Sequence, residues 1–138
     1  MLQAGFIVAV TAIAFGVSWG NPVTAAVLII LFGIVSAGFA MLVGAVARNP
    51  DQASSMGVFV GLALGALGGC MIPIQVMPPA MQTVSRLTPQ SWALLGLKDT
   101  IKTDGGLDTV LPNVAVLAVY GLVVMGLASW RFRKAIAG

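Results

Sequence analysis

Apolar residues run along this chain in four long blocks joined by polar links. A helix that spans a bilayer needs about 20 predominantly apolar residues, and windows near residues 2–19, 22–47, 55–77 and 112–132 meet or approach that length. No charged residue enters any of them before its end. The pattern predicts an all-α membrane protein with four transmembrane helices. The first link is Gly20-Asn21-Pro22, whose glycine suits a helix C-terminus and whose proline suits the first position of the next helix, so a tight antiparallel hairpin is expected. The second runs from Arg48 to Ser54, with Ser54 or Ser55 expected to cap the third helix.

The third link, residues 78–111, is long and patterned. Pro78-Pro79 breaks the preceding helix, after which Met81, Val84 and Leu87 fall at helical spacing, as in an amphipathic turn or two lying at an interface. Thr88-Pro89 starts a second short helix that carries Trp92 and Leu95, threonine serving as N-cap and proline as first helical residue. Asp104-Gly105-Gly106 is expected to turn the chain, and Pro112 to open the last span. Pro73 stands inside apolar sequence, so the third helix should kink or end near Ile72 and the chain re-enter the membrane edge. Irregular backbone is tolerated at membrane depth only if it is buried in protein or lines a watery path.

Within the third block, Gly57, Gly61, Gly65 and Gly69 recur every fourth residue. That spacing lines one helix face with residues lacking a side chain, where another backbone can approach closely. The stripe is expected to be a packing face. It is not a phosphate loop, because its spacing is helical and no lysine follows it.

Composition agrees with a membrane chain. It is 59% apolar and 8% charged, with a mean hydropathy of +1.02, where soluble domains carry roughly a quarter charged residues. A net charge of +3 spread over segment ends and one loop leaves no footprint for nucleic acid. Arg131, Arg133 and Lys134 crowd the end of the last helix, and four crossings put Arg48 on the same side. The tendency of cytoplasmic loops to carry Lys and Arg makes that side cytoplasmic. Both termini are then expected inside and residues 78–111 outside, although Arg86, Lys98 and Lys102 lie in that outer loop. No basic residue precedes the first apolar run, as a secretory signal would require. A chain that begins inside a helix is expected to be the C-terminal part of something longer.

The chemistry that is missing narrows the function. Cys70 is the single cysteine, so neither an intrachain disulfide nor a thiolate cluster can form, and a small buried hydrophobe is its expected role. The chain has no Glu and no His, and all four Asp residues (Asp51, Asp99, Asp104 and Asp108) fall outside the apolar blocks. A proton-coupled pump needs an ionisable group within the membrane. No catalytic triad, metal-ligand set, phosphate loop or cofactor motif is present in the sequence, so no enzymatic activity, catalytic residue, metal or cofactor is expected of this chain. Polar residues within or near the apolar blocks, Gln3, Thr11, Ser18, Thr24 and Ser36, suit hydrogen bonds between helices.

The run from Gly38 to Asp99 resembles the C-terminal half of type-2 ATP-binding-cassette (ABC) exporter permeases, including the drug-resistance branch. The match rests on a cytoplasmic link with Arg48, Asn49, Gln52 and Ala53, beside Asp51. It continues in a helix ending with Gly68-Gly69 and Pro73, then in Met77-Pro78, and in Thr88-Pro89 ahead of Trp92. The resemblance implies a permease fragment holding the last four of six spans, without the cytoplasmic segment that couples to the ATPase. It further implies a separate ABC ATPase partner, pairing with a second permease as homodimer or heterodimer, and a bacterial or archaeal plasma membrane. Pro73, Pro78, Pro79, Thr88, Pro89 and Trp92 would form an outer-gate or re-entrant segment, and the cargo would be drugs, lipids or lipid-linked sugars. Two other readings compete: a small membrane scaffold or assembly protein held together by the glycine stripe, and a proton-coupled small exporter, which the lack of an intramembrane acid disfavours.

Overall fold

The computed structural model describes residues 2–16, 18–103 and 106–137. Asp104 and Gly105, the larger part of the turn expected there, lie outside the described residues. Among those residues the chain is helical, without strands. Its helices are α1 (Leu2–Phe15), α2 (Pro22–Val46), α3 (Pro50–Leu67), α4 (Pro79–Ser85), α5 (Pro89–Thr103) and α6 (Leu107–Ala137), with one 3-10 turn at Ile74–Val76. Among the described residues, α2 and α6 alone combine the length and apolar composition to cross a membrane.

Element boundaries depart from the hydropathy windows for local reasons. α1 stops at Phe15, where Gly16 takes φ 61°, and Trp19 turns back so that its Nε1 donates to Thr11 Oγ1 at 3.0 Å. At 14 residues and about 1.5 Å per residue, α1 falls short of a bilayer core of about 30 Å. It buries none of its residues, so the tight hairpin expected with α2 is instead a loose flank, with cavities of ≈ 500 and ≈ 600 Å³ between the two helices. α3 begins at Pro50, five residues ahead of the expected 55, because Asn49 and not a serine caps it. It ends at Leu67 rather than near Ile72. There Gly69 adopts φ 86°, Cys70 N–H donates to the Gly65 carbonyl at 3.1 Å and Gly69 N–H to that of Ala66 at 3.4 Å. These are the paired bonds of a Schellman stop, which needs the left-handed conformation that glycine adopts most readily. α6 starts at Leu107, so Pro112 lies inside it instead of opening it. So near the helix start, the proline removes a single intrahelical bond.

The core is built where α2, α5 and α6 meet. Leu28, Val35, Ala93, Val110 and Leu117 form its buried centre, with Phe32, Trp92 and Tyr120 packed around it. Small residues bring the helices together. A Cβ at Gly96 of α5 would lie 2.8 Å from Asn113 Nδ2 and 3.1 Å from both methyls of Leu28. One at Gly38 would lie 3.0 Å from Val124 Cγ1, and one at Gly121 would lie 3.6 Å from Ile34 Cγ2. Gly20, just before α2, approaches the Thr100 carbonyl so closely that a Cβ there would overlap it.

These contacts fix relative direction and height. Residues 28, 34 and 38 of α2 lie beside 113, 121 and 124 of α6, so the two long helices run parallel. Gly20, Leu28 and Phe32 meet Thr100, Gly96 and Ala93 in turn, so α5 runs antiparallel to α2. α3 also runs antiparallel to it, its Gly57, Val60, Gly61 and Leu64 facing Val43, Phe39, Ser36 and Phe32 across a cavity of ≈ 190 Å³. Pro89 and Gln90 line the same cavity, so α5 begins beside the midpoint of α2 and climbs to the end that bears Pro22.

Candidate functional site

Between α3 and α5 the chain makes an excursion, residues 68–88, at the height where α2 is half traversed. A Cβ on Gly68 would lie 2.4 Å from Gln90 Cβ and 3.2 Å from Thr88 Oγ1, so the end of α3 rests on the start of α5. α3 and α5 are thus two half-helices with a loop, a 3-10 turn and the seven-residue α4 inserted between them. Ile74, Met77, Ser85, Thr88, Pro89 and Ser91 are buried, while Pro73, Pro78, Pro79, Arg86 and Leu87 are exposed.

A break in regular structure exposes backbone carbonyls, each of which costs about 1–3 kcal/mol if buried unpaired. Here they find partners in order. Leu87 N–H donates to Val84 O at 3.0 Å, and Ser85 O accepts from Thr88 N–H at 2.9 Å and from Thr88 Oγ1 at 2.7 Å. Arg86 O accepts the Trp92 indole N–H at 2.7 Å, Leu87 O accepts the Tyr120 hydroxyl, and Thr88 O accepts Ser91 Oγ at 2.9 Å. Lower in the break, Gln82 Nε2 donates to Met77 O at 2.8 Å. Pairing of this kind satisfies part of the irregular backbone at membrane depth, where unpaired groups are tolerated only inside protein or along a watery path. Two buried side-chain atoms beside the break, Ser85 Oγ and Gln90 Oε1, have no hydrogen-bond partner, nor do Thr24 Oγ1 and Asn113 Nδ2 nearer the Pro22 end.

The sequence-derived residues thus fall into three places. Pro73, Pro78, Pro79, Thr88, Pro89 and Trp92 all belong to the break or its exit. Thr88 directs its hydroxyl to Ser85 O, and Trp92 ties the α4 end to α5. Arg48, Asn49, Asp51 and Gln52 sit together and exposed at the opposite end of α3. Asn49 Oδ1 accepts from Gln52 N–H at 2.7 Å and Gln52 Oε1 from Arg48 N–H at 2.8 Å, a reciprocal cap close to a capping box. Asp51 adds a negative charge in the first turn, where the helix dipole favours it. Gly57, Gly61 and Gly65 share the exposed length of α3, and a Cβ on any of them would meet nothing within 4 Å. Gly69 lies past the helix end, its Cβ position 2.6 Å from Ile74 Cγ1.

Tyr120, Ser85, Gln90 and Ser91 were not singled out by sequence. Tyr120 carried a usable signal, being the one tyrosine, set inside an apolar block, because a buried tyrosine hydroxyl normally finds a partner. Among the described residues no group of three or more potential metal ligands occurs.

The profile of the ABC-2 family transporter proteins matches residues 1–130. The chain is 29% identical over 122 residues to the linearmycin resistance permease protein LnrN of Bacillus subtilis (strain 168), an alignment covering 88% of this chain and 32% of that protein. It therefore spans about a third of the length of this curated relative. No solved structure matches it.

Proposed function

This chain belongs to the ABC-2 family of transporter proteins, and on that premise we propose that it forms part of the membrane permease of an ATP-driven exporter, energised by a separate nucleotide-binding subunit. The observation that carries this reading is the break between α3 and α5. A crossing made of two half-helices, with its interruption at mid-height and the carbonyls of residues 84–88 paired within the chain, suits a protein that opens a polar path through an apolar layer.

The topology we propose has three full crossings, α2, the α3–α5 pair and α6, with α1 entering the layer beside α2 without spanning it by its own length. Arg48 and the Arg131, Arg133 and Lys134 cluster share one end because α2 and α6 run parallel, which supports a cytoplasmic location for that end. The host membrane is a bacterial or archaeal plasma membrane. The permease pairs with a second copy, and Gly57 and Gly61, which border the cavity against α2, leave room there for α2 and α3 to close up where no side chain intervenes. The exposed cap at Arg48–Gln52 faces the ATPase side, and the segment from Pro73 to Trp92 closes the path from outside. The name of the relative, a resistance permease, favours drug-sized amphiphiles over lipid-linked sugars as cargo.

The test uses the complete permease and its ATPase in inside-out vesicles. Export should require ATP, stop with vanadate and persist when an uncoupler collapses the proton gradient. Export abolished by the uncoupler yet indifferent to vanadate would overturn the reading in favour of proton coupling. No transport with any energy source would leave a scaffold.

A further inference from the structure

The excursion carries one formal charge to an unexpected height. Arg86 caps the C-terminus of α4, its N–H donating to Gln82 O at 3.2 Å. Leu87, the next residue, accepts from Tyr120, whose neighbour Gly121 packs on Ile34 and Val35 near the centre of α2. Thr100, at the other end of α5, lies level with Gly20 at the start of α2. At about 1.5 Å per residue, the rise from Pro89 to Thr100 places Arg86 roughly 16 Å below that end.

An exposed guanidinium at this depth cannot reach the surface by extending its own side chain, which covers little more than one helical turn, about 5.4 Å. Charges held in the middle of a membrane face a watery cavity or a polar partner, not lipid tails. The described aspartates are distant. Asp51 opens α3, Asp99 lies ten residues up α5 and Asp108 opens α6. Ser85 Oγ and Gln90 Oε1, at the same height, have no partner among the described residues, so the break is a polar island within an apolar layer.

We infer that Arg86 is an anion-recognition point inside the translocation path, where its guanidinium receives the carboxylate or phosphate of an amphiphile crossing the membrane. The inference rests on the export reading above. Arginine suits the task because its planar fork offers paired donors to either group and it stays charged in a poorly hydrated place. Leu87 and Val84, exposed beside it, receive the hydrocarbon part of the same molecule.

Two measurements on the complete transporter, reconstituted in phosphatidylcholine nanodiscs, test this. In a Cys70→Ser background, Leu87→Cys should react several-fold faster with an anionic than with a cationic thiosulfonate, and Arg86→Gln should remove that preference. An unreactive Leu87→Cys, or a preference unchanged by Arg86→Gln, overturns the inference. In the second, stimulation of ATP hydrolysis by dodecanoate should be half-maximal at a concentration at least tenfold below that for dodecanol. Arg86→Gln should abolish the gap, and Arg86→Lys should restore part of it. A gap that Arg86→Gln leaves intact refutes the inference alone, whereas no stimulation of the native complex by either compound refutes the export reading with it. If doping the nanodiscs with phosphatidylglycerol raises hydrolysis in an Arg86-dependent way without added amphiphile, the bound anion is lipid phosphate. A response only to dodecanoate assigns it to cargo.

Discussion

Gly96 is the point at which three helices converge, and replacing it with alanine isolates the energy of that convergence. The added methyl would stand 2.8 Å from Asn113 Nδ2 and 3.1 Å from both Leu28 methyls, against an optimum of about 3.5–4.0 Å for carbon pairs. Leu28 is fully buried at the centre of the core, so seating the methyl requires its side chain and that of Asn113 to shift. Overpacking of this kind costs about 1–3 kcal/mol. The change also raises intrinsic helix propensity, by about 0.8–1.0 kcal/mol in water, which would mask part of the loss. Gly61→Ala supplies the control. It too lies inside a helix, but its methyl meets nothing within 4 Å. Subtracting the two cancels the propensity gain and leaves Gly96→Ala less stable than Gly61→Ala by about 1–3 kcal/mol. Unfolding of the purified protein by graded SDS in dilute mixed micelles, followed by tryptophan fluorescence, measures both variants. Equal stabilities would show that α5 does not seat on α2 and α6 as described, and the height assigned to the break would fall with it.

Tyr120→Phe keeps the ring and removes the donor to Leu87 O, so it should destabilise the same protein by about 0.5–1.5 kcal/mol and raise hydrogen exchange over residues 84–92 while sparing α2. Asn49→Ala removes the side-chain cap of α3 and should cost about 1 kcal/mol, with Asn49→Asp retaining most of it; the same SDS titration distinguishes them. For topology, Lys102→Cys in a Cys70→Ser background should be labelled by an impermeant reagent in intact cells and Asp51→Cys should not, and the reverse pattern would invert the proposed orientation.

Much of this architecture was legible because it depends on neighbours in sequence. The apolar block of residues 22–47 became α2 nearly to the residue, and Asn21 and Pro22 began it as their types suggest. Pro78-Pro79 and Thr88-Pro89 marked the starts of α4 and α5. Errors arose where two local signals competed. Hydropathy carried the third block on to residue 77, whereas Gly68-Gly69 ended the helix at Leu67, because a left-handed glycine and two closing bonds outweigh the apolar character of residues 70–77. The serines at 54 and 55 were plausible caps until Asn49 and Gln52 paired across the first turn.

By itself the sequence determined that this is an all-helical membrane chain, where α2, α4 and α5 begin and which family it resembles, since hydropathy, turn chemistry and motif order are all properties of short windows. Only the tertiary structure decided how deep the break lies. That depth is set by which helix each half-helix packs beside, through close approaches at Gly20, Gly68 and Gly96 and a hydrogen bond between Tyr120 and Leu87 spanning 33 residues. A window on the sequence places Arg86 in an outer loop, because the charge lies among polar residues and prolines. The fold sets it roughly 16 Å inward, at about 1.5 Å per helical residue, because contacts between helices are cooperative and remote in sequence, and no local pattern encodes height.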